Sequence, residues 1–215
     1  MKKWLRLLLF IAGLPLAAIL LFPPEKKEAK EEYQIKNAEE LPFMVMLCED
    51  RGTYAYEPEE AVCHITAALL TKERLAAFDN LENGEGKRQE YLKALAVVCR
   101  TNMFYTWKQE QCPEELDIKK TGLPFRKLKQ NSNEELWIRE AVEESTGAVI
   151  MDGSKEERTV IAIPFFTSSD WEIKIGEAGE GIGLSLNYAL LLAQEGSEFT
   201  QIIRYFFPES KIRVE

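Results

Sequence analysis

Histidine is almost absent: the chain has one, His64, in 215 residues. A mechanism or metal site that needs two imidazoles is therefore excluded. None of the four cysteines (Cys48, Cys63, Cys99, Cys112) stands in C-x-x-C spacing, so a zinc ribbon is excluded as well. Nucleotide-binding signatures are missing too. The nearest approach, Gly176 to Gly183 (GEAGEGIG), has Leu184 where G-x-G-x-x-G requires its third glycine, and no G-K-[ST] follows. Glu177 and Glu180 would also repel a phosphate. Gly183-Leu184-Ser185-Leu186-Asn187 lacks the closing glycine of the G-x-S-x-G nucleophile elbow. Basic charge is in deficit, with 27 Lys and Arg against 36 Asp and Glu for a net charge of −9. Residues 1–22 hold Lys2, Lys3 and Arg6 and no acid, which leaves 24 basic and 36 acidic groups, or −12, for the remainder. A domain so acidic repels phosphate backbones, and nucleic acid is not an expected partner.

What is present is the composition of a folded protein, 46% hydrophobic and 29% charged, at the length of one domain with an appendage. The appendage is N-terminal. Trp4 to Phe22 is a 19-residue run with Arg6 near its start and no acid, and about 20 apolar helical residues cross a bilayer core. Two readings compete, a cleaved signal peptide and a retained signal anchor. The run continues through Ile19 to Phe22 into Pro23-Pro24 with no A-x-A site, which favours the anchor. Positive charge before the span then places Met1 in the cytoplasm and the domain outside. Glu25 to Glu32 (EKKEAKEE) reads as a solvated stalk. The division is 1–22 tip and anchor, 23–40 stalk, and 41–215 a single domain.

Within the domain, the apolar run Leu41 to Cys48 predicts a strand. A helix is expected from about Glu59, with Val62, Ile65, Leu69 and Ala76 on one face. Asp79 to Gln89, with Asn83-Gly84 and Gly86, reads as a loop before a second helix from Glu90 to Trp107. Ser132 and Glu135 have capping-box spacing at the start of a helix that stops at Gly147. Ala148 to Met151 and Thr159 to Phe166 read as two strands joined by a hairpin-like turn, and a glycine-rich stretch follows Trp171 to Ile175. Leu184 to Gln194 is helical, Ser197 caps a last helix ending near Phe207-Pro208, and Lys211 to Val214 is a terminal strand. The pattern is α+β. Cys63 and Cys99 fall in apolar helical patterns, where a buried thiol is the ordinary reading; a Cys63–Cys99 bridge is one of three disulfide arrangements that four cysteines allow.

Four segments, in order, resemble the stage II sporulation protein D/amidase-enhancer family, the SpoIID/LytB domain. Glu59 to Thr71 (EEAVCHITAALLT) resembles the family's E-E-Y-V-x-G-V-V-A-x-E-M-P. Glu90 to Thr101 (EYLKALAVVCRT) resembles E-A-L-K-A-Q-A-V-A-A-R-T. Ala141 to Val149 (AVEESTGAV) resembles A-V-x-x-T-x-G-x-V. Gly179 to Ala189 (GEGIGLSLNYA) resembles G-H-G-V-G-M-S-Q-x-G-A, with Tyr205-Phe206-Phe207-Pro208 standing for a Y-Y-P tail. The resemblance implies an extracytoplasmic domain that binds or cuts peptidoglycan glycan strands. It also implies a place beside a cell-wall amidase and a polytopic membrane protein in sporulation engulfment. No cofactor is implied, and the family's zinc-binding Cys/His cluster has no counterpart beyond Cys112.

The departures carry as much as the matches. The family's catalytic glutamate falls on Leu69, which holds no transferable proton. Its G-H-G histidine falls on Glu180, and the glutamine after the serine falls on Leu186. Arg100, Thr101 and Ser185 are retained and are the candidate substrate contacts; for Arg100, bracing the fold is an equal alternative. The resulting expectation is a membrane-anchored peptidoglycan binder or scaffold with catalysis lost. A second reading keeps an active lytic transglycosylase that uses Glu73, one turn beyond Leu69 on the same helical face, or Glu180. A third is an unrelated exported binding domain.

Overall fold

The structure is a computed structural model that describes residues 43–49, 52–152, 165–166 and 183–214. The chain divides into two units, 1–34 and 35–215, and all described residues belong to the second. The expected anchor and stalk, Glu180 and most of the glycine-rich stretch lie outside the described residues; among those described, no helix is long and apolar enough to cross a membrane.

Strand β1 (Met44–Glu49) buries Val45 and Leu47 and turns Met44 and Met46 outward, the two-residue period of a half-buried strand. It pairs antiparallel with β2 (Gly52–Tyr56) and parallel with β3 (Glu115–Asp117), giving the order β2-β1-β3. The sequence reading missed β2, because its exposed Thr53-Tyr54-Ala55 has no apolar face to give it away. Helix α1 (Pro58–Leu69) opens with proline at its first turn, where a missing N–H costs nothing, and with Glu59 and Glu60 at the positive end of the helix dipole. It does not run on to Ala76. Leu70 is extended (φ −94°, ψ 139°), and Thr71 caps a new short helix, α2 (Lys72–Ala76), by accepting the Arg74 N–H at 3.3 Å.

The centre of the fold is α3 (Gly84–Gln109), 26 residues or roughly 39 Å at about 1.5 Å per residue. It touches α1, the later helices and strand β4, and every residue from Ala94 to Phe104 is buried. A helix buried all round shows no amphipathic stripe. It begins six residues earlier than the sequence implied, inside the segment read as a loop. Asn83 takes the left-handed conformation (φ 54°), and Gly84 packs so tightly that a Cβ there would lie 2.0 Å from the Phe78 carbonyl oxygen. The glycine marks a close approach, where the sequence had pointed to a turn.

A 3₁₀ turn (Ile118–Thr121) leads towards α4 (Asn133–Glu144). Ser132 Oγ accepts the Glu135 N–H at 3.1 Å, as expected of a cap worth about 1 kcal/mol. The reciprocal arm lands one residue early, with Glu135 Oε2 accepting the Asn131 N–H at 2.7 Å. Strand β4 (Ala148–Asp152) pairs antiparallel with the C-terminal strand β7 (Ser210–Val214). The turn and most of the second strand of the expected hairpin, residues 153–164, lie outside the described residues, as does 171–175. Within 159–166 the described strand is β5 (Phe165–Phe166), which runs parallel to β6 (Leu184–Ser185). The β4–β7 pairing joins residues far apart in sequence, and local periodicity carries no information about such a partner. Helices α5 (Leu186–Gln194) and α6 (Phe199–Phe206) follow. Glu198, not Ser197, precedes α6, and its N–H is taken by Gln201 Oε1 at 2.9 Å. The α+β class stands.

Candidate functional site

Arg100 sits in the middle of α3 with no exposed surface. Its Nε and Nη2 donate to the two carboxylate oxygens of Glu59 at 2.7 and 2.5 Å. Nη1 donates to the carbonyls of Ser145 (2.8 Å) and Ala148 (3.1 Å), and Nη2 reaches Val142 O at 3.4 Å. A guanidinium has five N–H donors, and all five are spent on the protein. Arg100 thereby ties the start of α1, the core of α3 and the α4–β4 turn into one node. Thr101, also fully buried, donates to Val97 O at 2.6 Å and accepts the Ile150 N–H at 3.0 Å, fixing β4 against α3. Neither side chain faces solvent in this arrangement; their geometry is that of braces.

A second junction joins the end of α1 to the start of α5. Arg74 donates from Nη1 to Leu69 O at 3.1 Å, and from Nε and Nη2 to Asn187 Oδ1 at 3.3 and 3.1 Å. Tyr91 of α3, fully buried, donates its hydroxyl to Leu186 O at 3.2 Å, and burial pushes that phenol far above its ordinary value. Ser185, 6% exposed, caps α5 by accepting the Tyr188 N–H at 3.2 Å. Position 69, buried at the tip of α1, thus lies one guanidinium away from the segment carrying Ser185 and Asn187.

Glu73 does not share the Leu69 helix. The break at Leu70 puts it in the first turn of α2, exposed to solvent. Its carboxylate is held below the ordinary range by its own backbone N–H and then by the Thr71 hydroxyl. A general acid at neutral pH needs the opposite shift, a pKa raised by burial. The other candidate carboxylate, Glu180, lies outside the described residues.

Two other concave places bear polar groups. The first, of about 260 Å³, is lined by residues that include Tyr56, Glu60, His64, Lys127, Glu135 and Arg139. His64 Nδ1 accepts the Leu128 N–H at 3.1 Å, so its proton sits on Nε2, 3.3 Å from Glu60 Oε1. Arg139 forks onto both oxygens of Glu60 at 2.6 and 2.9 Å and holds that carboxylate below its usual range. Burial lowers the imidazole pKa, keeping His64 neutral despite Glu60 beside it. The second, of about 430 Å³, has Arg88 stacked 3.9 Å over Trp137 and paired to Asp79 at 2.6 Å. Among the described residues no cluster of His, Cys, Asp and Glu is placed to hold a metal ion. All four cysteines are free thiols; Cys63 and Cys99 are buried, and burial pushes both up to about 12.

No family model matches the chain, and no curated protein matches it. Sequence reasoning did not single out Glu59, Arg74, Tyr91 or Asn187. For His64 and Glu60 the signal was available, because a pair at i and i+4 shares a helix face. For Arg74 and Asn187, 113 residues apart, local pattern offers none.

Proposed function

We propose that the chain is a membrane-anchored, extracytoplasmic protein of the SpoIID/LytB type that engages peptidoglycan glycan strands and does not cleave them. In this reading it serves as a binder or scaffold in cell-wall remodelling of the sporulation kind, next to an amidase and a polytopic membrane protein. The observation that carries the reading is the way the four resembling segments meet. Arg100 of the second segment holds Glu59 of the first and the carbonyls of Val142, Ser145 and Ala148 of the third. Arg74, just beyond the first segment, holds Leu69 within it and Asn187 of the fourth. Segments that resembled a family one at a time are packed as one unit, which supports a shared architecture more than chance likeness does.

Loss of catalysis follows from the chemistry at position 69. Leucine transfers no proton, and the neighbouring side chain is a guanidinium. The ionised, exposed Glu73 is a poor substitute for a protonated acid in a sheltered pocket. The reading is tested by co-sedimentation of full-length protein, in detergent, with purified sacculi. Saturable retention of the protein on sacculi is expected. Retention no greater than that of an unrelated acidic protein refutes the reading.

A further inference from the structure

Arg88, Arg100, Arg126 and Arg139 each meet a carboxylate, from Asp79, Glu59, Glu134 and Glu60 respectively. Arg74 differs. Among the described residues its guanidinium meets only neutral oxygens, Leu69 O and Asn187 Oδ1. In a chain with 36 acidic groups against 27 basic ones, a half-buried arginine with no hydrogen-bonded acid among the described residues, and with Glu73 acting on it only through space, is a positive charge left for something else. Three of its five N–H groups are spent, so one N–H on Nη1 and one on Nη2 have no acceptor among the described residues. Two guanidinium N–H groups are matched by the two oxygens of a carboxylate, in a charge-assisted pair roughly twice as strong as a neutral one. The position is also specific, at the seam between the tip of α1 and the start of α5.

We infer that Arg74 is the receptor for a carboxylate carried by the wall polymer, so that the corner at Leu69 has become an anion-binding site. This rests on the proposed function and adds the ligand group that the same corner recognises. The charge that suits it to an anion also disqualifies it for acid catalysis: a carboxyl group introduced beside a guanidinium is held ionised and gives up its value as a proton donor. Leu69→Glu alone therefore restores no cleavage. Two wall groups carry the required chemistry, the lactyl carboxylate of a muramic sugar and the terminal carboxylate of a stem peptide.

The test uses full-length protein in detergent and isothermal titration with four probes. These are a stem pentapeptide, the same peptide with its C-terminus amidated, N-acetylmuramic acid, and a neutral chitooligosaccharide. At least one carboxylate probe is expected to bind tenfold or more tightly than its neutral counterpart, and which one does identifies the source. Arg74→Gln is expected to abolish that ratio. Arg74→Lys, which keeps the charge but loses the fork, retains an intermediate ratio and controls for damage to the α1–α5 seam. Equal binding of charged and neutral probes by the unaltered protein, or a ratio that survives Arg74→Gln, overturns the Arg74 assignment alone. Failure of every probe and of sacculi to bind overturns the proposed function along with it.

Discussion

Arg100→Lys separates a brace from a substrate contact. The native guanidinium makes five hydrogen bonds, two of them to the Glu59 carboxylate. A lysine ammonium offers three N–H groups from a single point and cannot reproduce the planar fork. At best three bonds survive, and the second Glu59 contact is among those lost; hydrogen bonds to charged groups contribute about 1.5–3 kcal/mol each. Carbonyls of Val142 and Ser145 keep other donors, Ser145 Oγ and the Ala148 N–H, which limits the further loss. The expected cost is about 2–4 kcal/mol, a large share of the roughly 5–15 kcal/mol that holds a domain together. At about 2–4 °C per kcal/mol for a domain of this size, melting should fall by roughly 4–16 °C. Urea unfolding followed by circular dichroism would measure it, with Glu59→Gln and the double variant completing a cycle. If the two groups form one brace, the double variant should fall short of additivity by about 1.5 kcal/mol or more. A variant within about 0.5 kcal/mol of the unaltered protein that loses sacculus binding would refute the reasoning and make Arg100 a ligand contact.

Other expectations follow from the same geometry. His64 is held below its ordinary value of 6.5 and therefore binds protons more weakly folded than unfolded; stability should fall as pH drops below about 6.5. Glu60, held below 4.5, adds a further loss as pH falls below that value. Melting temperatures from pH 8 to 5 should show the slope, and His64→Gln should flatten it; an unchanged slope contradicts the assignment. Cys48 and Cys112 are exposed while Cys63 and Cys99 are buried with thiols near 12, so a thiol reagent at pH 8 should label two sites at once and the other two only on unfolding. Gly84→Ala drives a methyl into the Phe78 carbonyl and should cost about 1–3 kcal/mol in urea titration. Glu73→Gln should leave sacculus retention unchanged, and a clear loss of retention would restore Glu73 as a candidate.

Elements that announce themselves locally were legible before the structure. The apolar run of β1, the Ser132 cap and the terminal strand each depend on residues within one turn or one pleat of each other. The errors share a different origin. Strand β2 shows no apolar face, and the early start of α3 depends on Gly84 nesting against Phe78. Glu73 was misplaced because the helical period runs on past Leu70, where the backbone does not. The site shows the same division. Arg100 was found from its motif, but its role was fixed by Glu59, 41 residues away. Arg74 and Asn187 became a pair only once the fold brought α2 to the start of α5.

The central claim, engagement without cleavage, is tested most directly by counting chain ends. Full-length protein would be incubated with sacculi, and the pellet that retains it analysed by mass spectrometry for 1,6-anhydro sugar ends. The account predicts protein in the pellet and anhydro ends no more frequent than in sacculi incubated alone. Anhydro ends that accumulate with time and protein concentration would contradict it, and would mean that a proton donor other than position 69 is at work.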